Sequence, residues 1–129
     1  MGNISIEKLN ELADKLLGKA FIVEDLGRQL HAVLHEKKEE TLTGVMNDFR
    51  EYGDDYSETI IRLYRLHSFL FRLGIKYTEF DSVAYVMYEL LDDADYAKKM
   101  PYDLIYIMAN MSEYIARCKG MWEEELKAE

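Results

Sequence analysis

Leucine, isoleucine, valine and methionine recur at every third or fourth position along most of this chain, the repeat of helices with one apolar face. Ile6, Leu9, Leu12, Ala13 and Leu16 share one side of a helix predicted from Ser5 to Leu17, and Gly18 is its stop. Leu26, Leu30, Val33 and Leu34 make the stripe of a second helix, from Glu24 to Lys38. The residues "KAFIV" between them are too few to separate an extended piece from a turn of helix. A shorter third helix starts near Thr41 and turns Leu42, Val45, Met46 and Phe49 inward before "YGDD" breaks it. The fourth, Tyr56 to Leu73, has Asp55 or Ser57 as a cap and Gly74 as its end. Thr78 is the expected cap of the fifth, which buries Phe80, Val83, Ala84, Met87, Leu90 and Leu91. After the acidic stretch "DDADYAKK", Pro101 opens a last helix that runs to Leu126. The expectation is an all-α fold: a compact bundle of five or six helices with short connections, forming a single domain over residues 1–129.

The last predicted helix carries an apolar arc of about 220°, wider than a surface helix needs. It therefore sits either at the centre of the bundle or against a second copy of the chain, as in a homodimer.

Composition agrees with a packed domain. Apolar residues make up 49% of the chain, and one proline with seven glycines fits neither disorder nor a turn-rich β fold. A chain of this length buries roughly two-thirds of its unfolded surface. Cys118 is the one cysteine, so no intrachain disulfide forms, which favours a reducing, cytoplasmic setting. No apolar run approaches the roughly 18 residues of a membrane span, and the start reads as an amphipathic helix, not a signal peptide. "MGNISI" departs from a myristoylation signal at Ile6. Asn3-Ile4-Ser5 and Asn110-Met111-Ser112 match the glycosylation pattern but lack a secretory context.

Charge narrows the function. Sixteen Lys and Arg face twenty-five Asp and Glu, for a net charge of -9. Such a chain repels phosphate backbones and anionic lipid unless a local basic patch intervenes. The one candidate patch is "RLYRLHSFLFRLG", where Arg62, Arg65 and Arg72 share the polar face of the fourth helix. Leu63, Leu66, Leu70, Ile60, Tyr64 and Phe71 take the opposite half, and His67 falls inside it as a core histidine. Glu58 precedes Arg62 by one turn, the order that favours a weak helical pair. Phe69 is the misfit among the arginines. It either stacks on a guanidinium or marks an interface.

Catalytic signatures are missing. His31 and His35 stand one turn apart, but Ala32 takes the place of the zincin glutamate, and no spacing ties Glu39, His67 or Cys118 to them as further metal ligands. Asp92, Asp93 and Asp95 lack the central glycine of a calcium loop, and Asp103 stands where its bidentate glutamate belongs, so they read as a cap or charged turn. Cys118 shares a face with Leu104, Met111 and Trp122, as a buried small hydrophobe does. Phosphate loops, nucleophile elbows and paired acid–base carboxylates do not occur. The expectation is a non-enzyme with no cofactor and no metal.

The tyrosines carry the positive evidence. There are ten. On the fifth helix Asp81, Tyr85, Tyr88 and Asp92 fall within about 60° of one another, opposite the core positions. Tyrosine offers interfaces a large apolar area with a polar tip, and the flanking aspartates suit a cationic partner. The competing reading packs Tyr85 and Tyr88 against another helix of the same bundle. With Phe69, these residues are the candidate partner-binding set. The expected function is a small acidic regulator, adaptor, immunity protein or inhibitor that binds a basic protein surface, with its acids imitating nucleic-acid phosphate. Small acidic proteins of phages and other mobile elements commonly act this way, an analogy at the level of class. The alternative is a nucleic-acid-associated subunit using Arg62, Arg65 and Arg72, with Lys98, Lys99 and Arg117 as further candidates.

Overall fold

The computed structural model describes residues 2–36 and 39–127, with side chains from residue 5 onward. Its helices are α1 (Gly2–Leu17), α2 (Ala20–His35), α3 (Leu42–Arg50), α4 (Asp54–Arg72), α5 (Phe80–Asp92), α6 (Tyr102–Ala109) and α7 (Met111–Lys127), with a 3₁₀ segment (Ala94–Lys99) between α5 and α6. No strand occurs among the described residues. The all-α class therefore holds, and the count exceeds the five or six expected.

Three local differences account for the count and the boundaries. "KAFIV" is helical: Ala20, Ile22 and Val23 are buried in the first turns of α2, so that helix starts four residues earlier than its stripe implied. Its expected end at Lys38 lies outside the described residues, as do the last two residues of the chain. "ADYAKK" winds into the 3₁₀ segment, and Asp93 caps it by accepting from the Asp95 N–H at 3.1 Å. The acidic stretch thus acts as a cap.

The third difference is the break at Asn110 in the single last helix that the pattern predicts. Asn110 leaves helical geometry (φ -124°, ψ 38°), and its side-chain amide donates to the Tyr106 carbonyl at 3.0 Å. Across the break, Glu24 of α2 accepts from the Ser112 N–H at 3.1 Å, giving α7 an acceptor at its N-terminus. The wide apolar arc belongs to two helices with different neighbours. α6 lies along α2, whereas α7 packs against α1 and α2.

Several other helix ends are completed from a distance. Arg62 donates to the Lys15 carbonyl in the last turn of α1 and also to Glu58 at 2.6 Å. Arg50 donates to the Leu91 carbonyl in the last turn of α5. At the other end of α5 the expected cap fails: Thr78 is buried, and its hydroxyl has no partner among the described residues. The Glu79 N–H donates instead to the Tyr114 phenol oxygen of α7 at 2.8 Å. Neither Asp55 nor Ser57 caps α4; both lie inside that helix, which begins after Gly53 at φ 55°. Gly74, at φ 83°, ends α4 as expected. Thr41 caps α3 by accepting from the Gly44 N–H at 2.9 Å.

The core runs through every helix. Leu9, Leu16, Leu26, Leu30, Phe49, Leu63, Phe80, Met108 and Trp122 are fully buried. α2 crosses the middle and touches α1, α3, α4, α6 and α7, with α6 its most extensive neighbour. Gly27 makes that contact close. A Cβ at this position would lie 2.5 Å from the Ala109 nitrogen and 2.9 Å from the Ala109 Cα, so only hydrogen fits there. Tyr56, the largest buried residue of α4, donates from its phenol to the Met87 carbonyl of α5 at 2.7 Å, which pins those two helices.

Gly27→Ala is expected to lower stability by about 1–3 kcal/mol, as overpacking against fixed backbone does. Gly120→Ala is the control. Beyond its own stretch of helix no described atom lies within 4 Å of its added Cβ, and the gain in helix propensity should raise stability by about 0.5–1 kcal/mol. Denaturant midpoints of the two variants should move in opposite directions.

Alkali gives a second test. Burial pushes the Tyr56 and Tyr114 phenols well above the ordinary phenol value, and burial with the neighbouring Glu125 pushes Tyr77 up to about 12. The folded state thus keeps protons that the unfolded chain gives up near pH 10.0. Stability should be intact below pH 10 and decline as pH climbs beyond it. Phenolate absorbance followed together with circular dichroism should show a late class of tyrosines that ionises only as the helices melt.

Candidate protein-binding surface

α5 buries Phe80, Val83, Ala84, Val86, Met87 and Leu90 on one side, which fixes what the other side can show. Tyr85 is 49% exposed and Tyr88 57% exposed on that outer face, so neither is packed within the bundle. Asp92 is exposed one turn beyond Tyr88, and Asp81 is partly exposed one turn before Tyr85. The four residues form the continuous stripe expected from their spacing.

Neighbouring elements widen this stripe. Tyr96 of the 3₁₀ segment meets Tyr85 edge to face, with ring centroids 6.2 Å apart. The Glu89 carboxylate, and after it the Tyr96 and Tyr64 phenols, raise the Tyr85 phenol above its ordinary value. Tyr64 of α4 is thus within electrostatic reach of the stripe. The result is an aromatic surface edged with carboxylates from Asp81, Glu89 and Asp92.

Phe69 does not belong to it. The buried positions of α4 are Tyr56, Thr59, Ile60, Leu63, Leu66 and Leu70. Counting the half-buried Leu73 and Phe69 as well, the covered arc is turned toward the arginines relative to the apolar half read from the sequence. α1 causes the rotation by packing along that side of α4. Phe69 is drawn half under, against the core, with the Arg72 guanidinium 5.6 Å from its ring centroid. Tyr64 and Phe71, assigned to the apolar half, are instead exposed by 39% and 54%. His67 is not a full core residue either. Its side chain is 23% exposed, with Nδ1 3.7 Å from an Asp81 oxygen and no hydrogen-bond partner among the described residues.

No known protein family, characterised protein or solved structure matches this chain.

The remaining chemical groups do not assemble. The His31 and His35 rings lie 5.2 Å apart, and the Tyr102 ring packs edge-on against both. His31 Nδ1 is 3.3 Å from Glu36, and its Nε2 is 3.4 Å from the Tyr102 hydroxyl. No group of three or more histidines, cysteines or carboxylates among the described residues is placed to hold a metal ion. Cys118 is buried, and burial pushes its thiol above the ordinary value, so it is a poor thiolate at neutral pH. No helix among the described residues is long and apolar enough to cross a membrane.

Tyr64, Glu89 and Tyr96 are the members of the surface that sequence reasoning missed. Glu89 lies one turn beyond Tyr85 on the same helix and was within reach of a helical projection. Tyr64 and Tyr96 join through the packing of α4 and the 3₁₀ segment on α5, which no local spacing reports.

If the outer face of α5 carries no structural weight, Tyr85→Ala and Tyr88→Ala should each leave stability within about 0.5 kcal/mol. Phe80→Ala, on the opposite side of the same helix and fully buried, should cost about 3–5 kcal/mol. Thermal or denaturant unfolding of the three variants checks the contrast.

Proposed function

We propose that this chain is a non-enzymatic binding protein that uses the tyrosine–aspartate face of α5 to engage a basic protein surface. Regulators, adaptors, immunity proteins and inhibitors act in this way. One observation carries the reading: two tyrosines about half exposed, side by side on a face otherwise made of carboxylates. Isolated apolar side chains on a surface need no explanation. An aromatic cluster edged with acids has the composition of an interface centre with its polar rim. In a sharper form, the carboxylates along α5 stand in for the phosphates of a nucleic acid on a partner that otherwise binds one. A net charge of -9 favours encounter with such a partner.

Direct nucleic-acid binding through the arginines has less support. Arg62 is committed to the Lys15 carbonyl and to Glu58, which leaves Arg65 and Arg72 of the three. Two cations on one helix give little of the counterion release that drives phosphate binding.

Affinity capture from the native host with wild-type protein, and in parallel with the Tyr85→Ala/Tyr88→Ala double variant, tests the proposal. A saturable protein partner is expected with the wild type, with binding weakened at least tenfold in the double variant at an unchanged melting temperature. The complex should also weaken as salt rises. Equal recovery by wild type and double variant would sink the α5 reading.

A further inference from the structure

The cations of this acidic chain are not spread evenly. α1 and α4 lie side by side, and an open groove of about 370 Å³ runs between them. Leu12 of α1 and Ile61 and Phe69 of α4 give it apolar walls, while Lys8, Arg65 and Arg72 are its charged residues. Among the described residues no carboxylate lines this groove. Ile61 is 47% exposed, beside Leu12 and Phe69 in the groove wall. Arg65 has no ion-pair partner among the described residues, and Arg72 meets only the Phe69 ring. Lys8 is held loosely, 3.9 Å from an exposed Glu11, and such a pair contributes little.

We propose that this groove binds an acidic peptide segment of a partner protein, with one large apolar side chain seated beside Ile61 and Leu12 and carboxylates paired to Arg65, Arg72 and Lys8. Each part of the site selects for that chemistry. The apolar walls require an apolar anchor, as when a peptide helix docks between two helices. Guanidinium forks match carboxylates in bidentate geometry, and these two are exposed and available. Charge complementarity is local: Lys8, Arg65 and Arg72 line the groove, whereas the chain as a whole carries a net charge of -9.

A nucleic-acid strand fits the same groove poorly. Arg72 already lies over the Phe69 ring, so that ring is not free as a stacking platform for a base. Leu12 and Ile61 are aliphatic, which leaves Tyr64 as a single ring for a strand that stacks successive bases. Farther along the same two helices Glu58 enters beside Arg62, which interrupts the positive track a phosphate backbone would follow. The groove meets the α5 face at Tyr64, which lines the one and borders the other.

Selection of displayed random peptides on the full-length protein tests the proposal. The expected result is a consensus of Asp or Glu beside Leu, Ile or Phe. The synthetic consensus peptide should bind wild type saturably in fluorescence anisotropy. Arg65→Glu should weaken that binding at least tenfold, about 1.4 kcal/mol, at an unchanged melting temperature, and Ile61→Ser should weaken it in the same way. Tyr85→Ala/Tyr88→Ala should bind the peptide as wild type does. No enriched peptide, a consensus without acids, or equal binding by Arg65→Glu overturns the proposal. So does tighter binding of a single-stranded oligonucleotide than of the consensus peptide, which would assign the groove to nucleic acid instead.

Discussion

The fold depends on how closely α2 and α6 approach at Gly27. Backbone meets backbone there: the missing Cβ is what leaves room for Ala109 and the Met108 carbonyl carbon. α2 is the helix that touches most of the others, so its position sets theirs. Close packing makes this a firm constraint, because a protein interior has little free volume to absorb even one methyl group. The break at Asn110 follows from the same contact. α6 ends one residue before it, still held along α2, and the chain then turns so that α7 can reach α1.

Distant side chains complete the helix ends that this arrangement exposes. Arg62 serves α1, Arg50 and Tyr114 serve the two ends of α5, and Glu24 serves α7. A helix end left without partners is costly when its amides or carbonyls are shielded from water. Each of these bonds therefore does two things: it satisfies a terminal group, and it fixes the register of one helix against another. Tyr114 is the clearest case. Its ring packs against Phe80 at 5.4 Å between centroids, and its oxygen accepts the Glu79 amide. The same burial that pins the helices removes the phenol from water and raises its pKa.

The surface divides by charge and by texture. Along α5 the exposed residues are mainly phenols and carboxylates; the groove between α1 and α4 is lined by Lys8, Arg65 and Arg72 beside aliphatic side chains, with Glu58 entering farther along. Tyr64 stands at the border of the two, lining the groove and neighbouring Tyr85. Segregation of this kind costs self-repulsion within each patch, and stability alone gives no reason for it, since exposed charges stabilise best when the signs alternate. It does produce two faces that discriminate between partners by sign.

The helical class, the inward residues of α1, α3 and α5 and the outward stripe of Asp81, Tyr85, Tyr88 and Asp92 were legible in the sequence. Each rests on a period of 3.6 residues acting within a single helix. What spacing could not decide was anything set by a second helix. Phe69 projected among arginines yet went half under because α1 covers that side of α4, while Tyr64 and Phe71 projected inward yet stayed exposed. Thr78 looked like a cap, but a phenol from α7 took that amide. Residues 102–126 read as one helix because local pattern carries no record of Glu24, whose carboxylate waits on α2 for the amide of Ser112. The sequence by itself determined which residues would be apolar on each helix. Tertiary packing decided which way each helix turns, where it ends and which exposed groups stand together, because those outcomes depend on contacts between residues far apart in the chain.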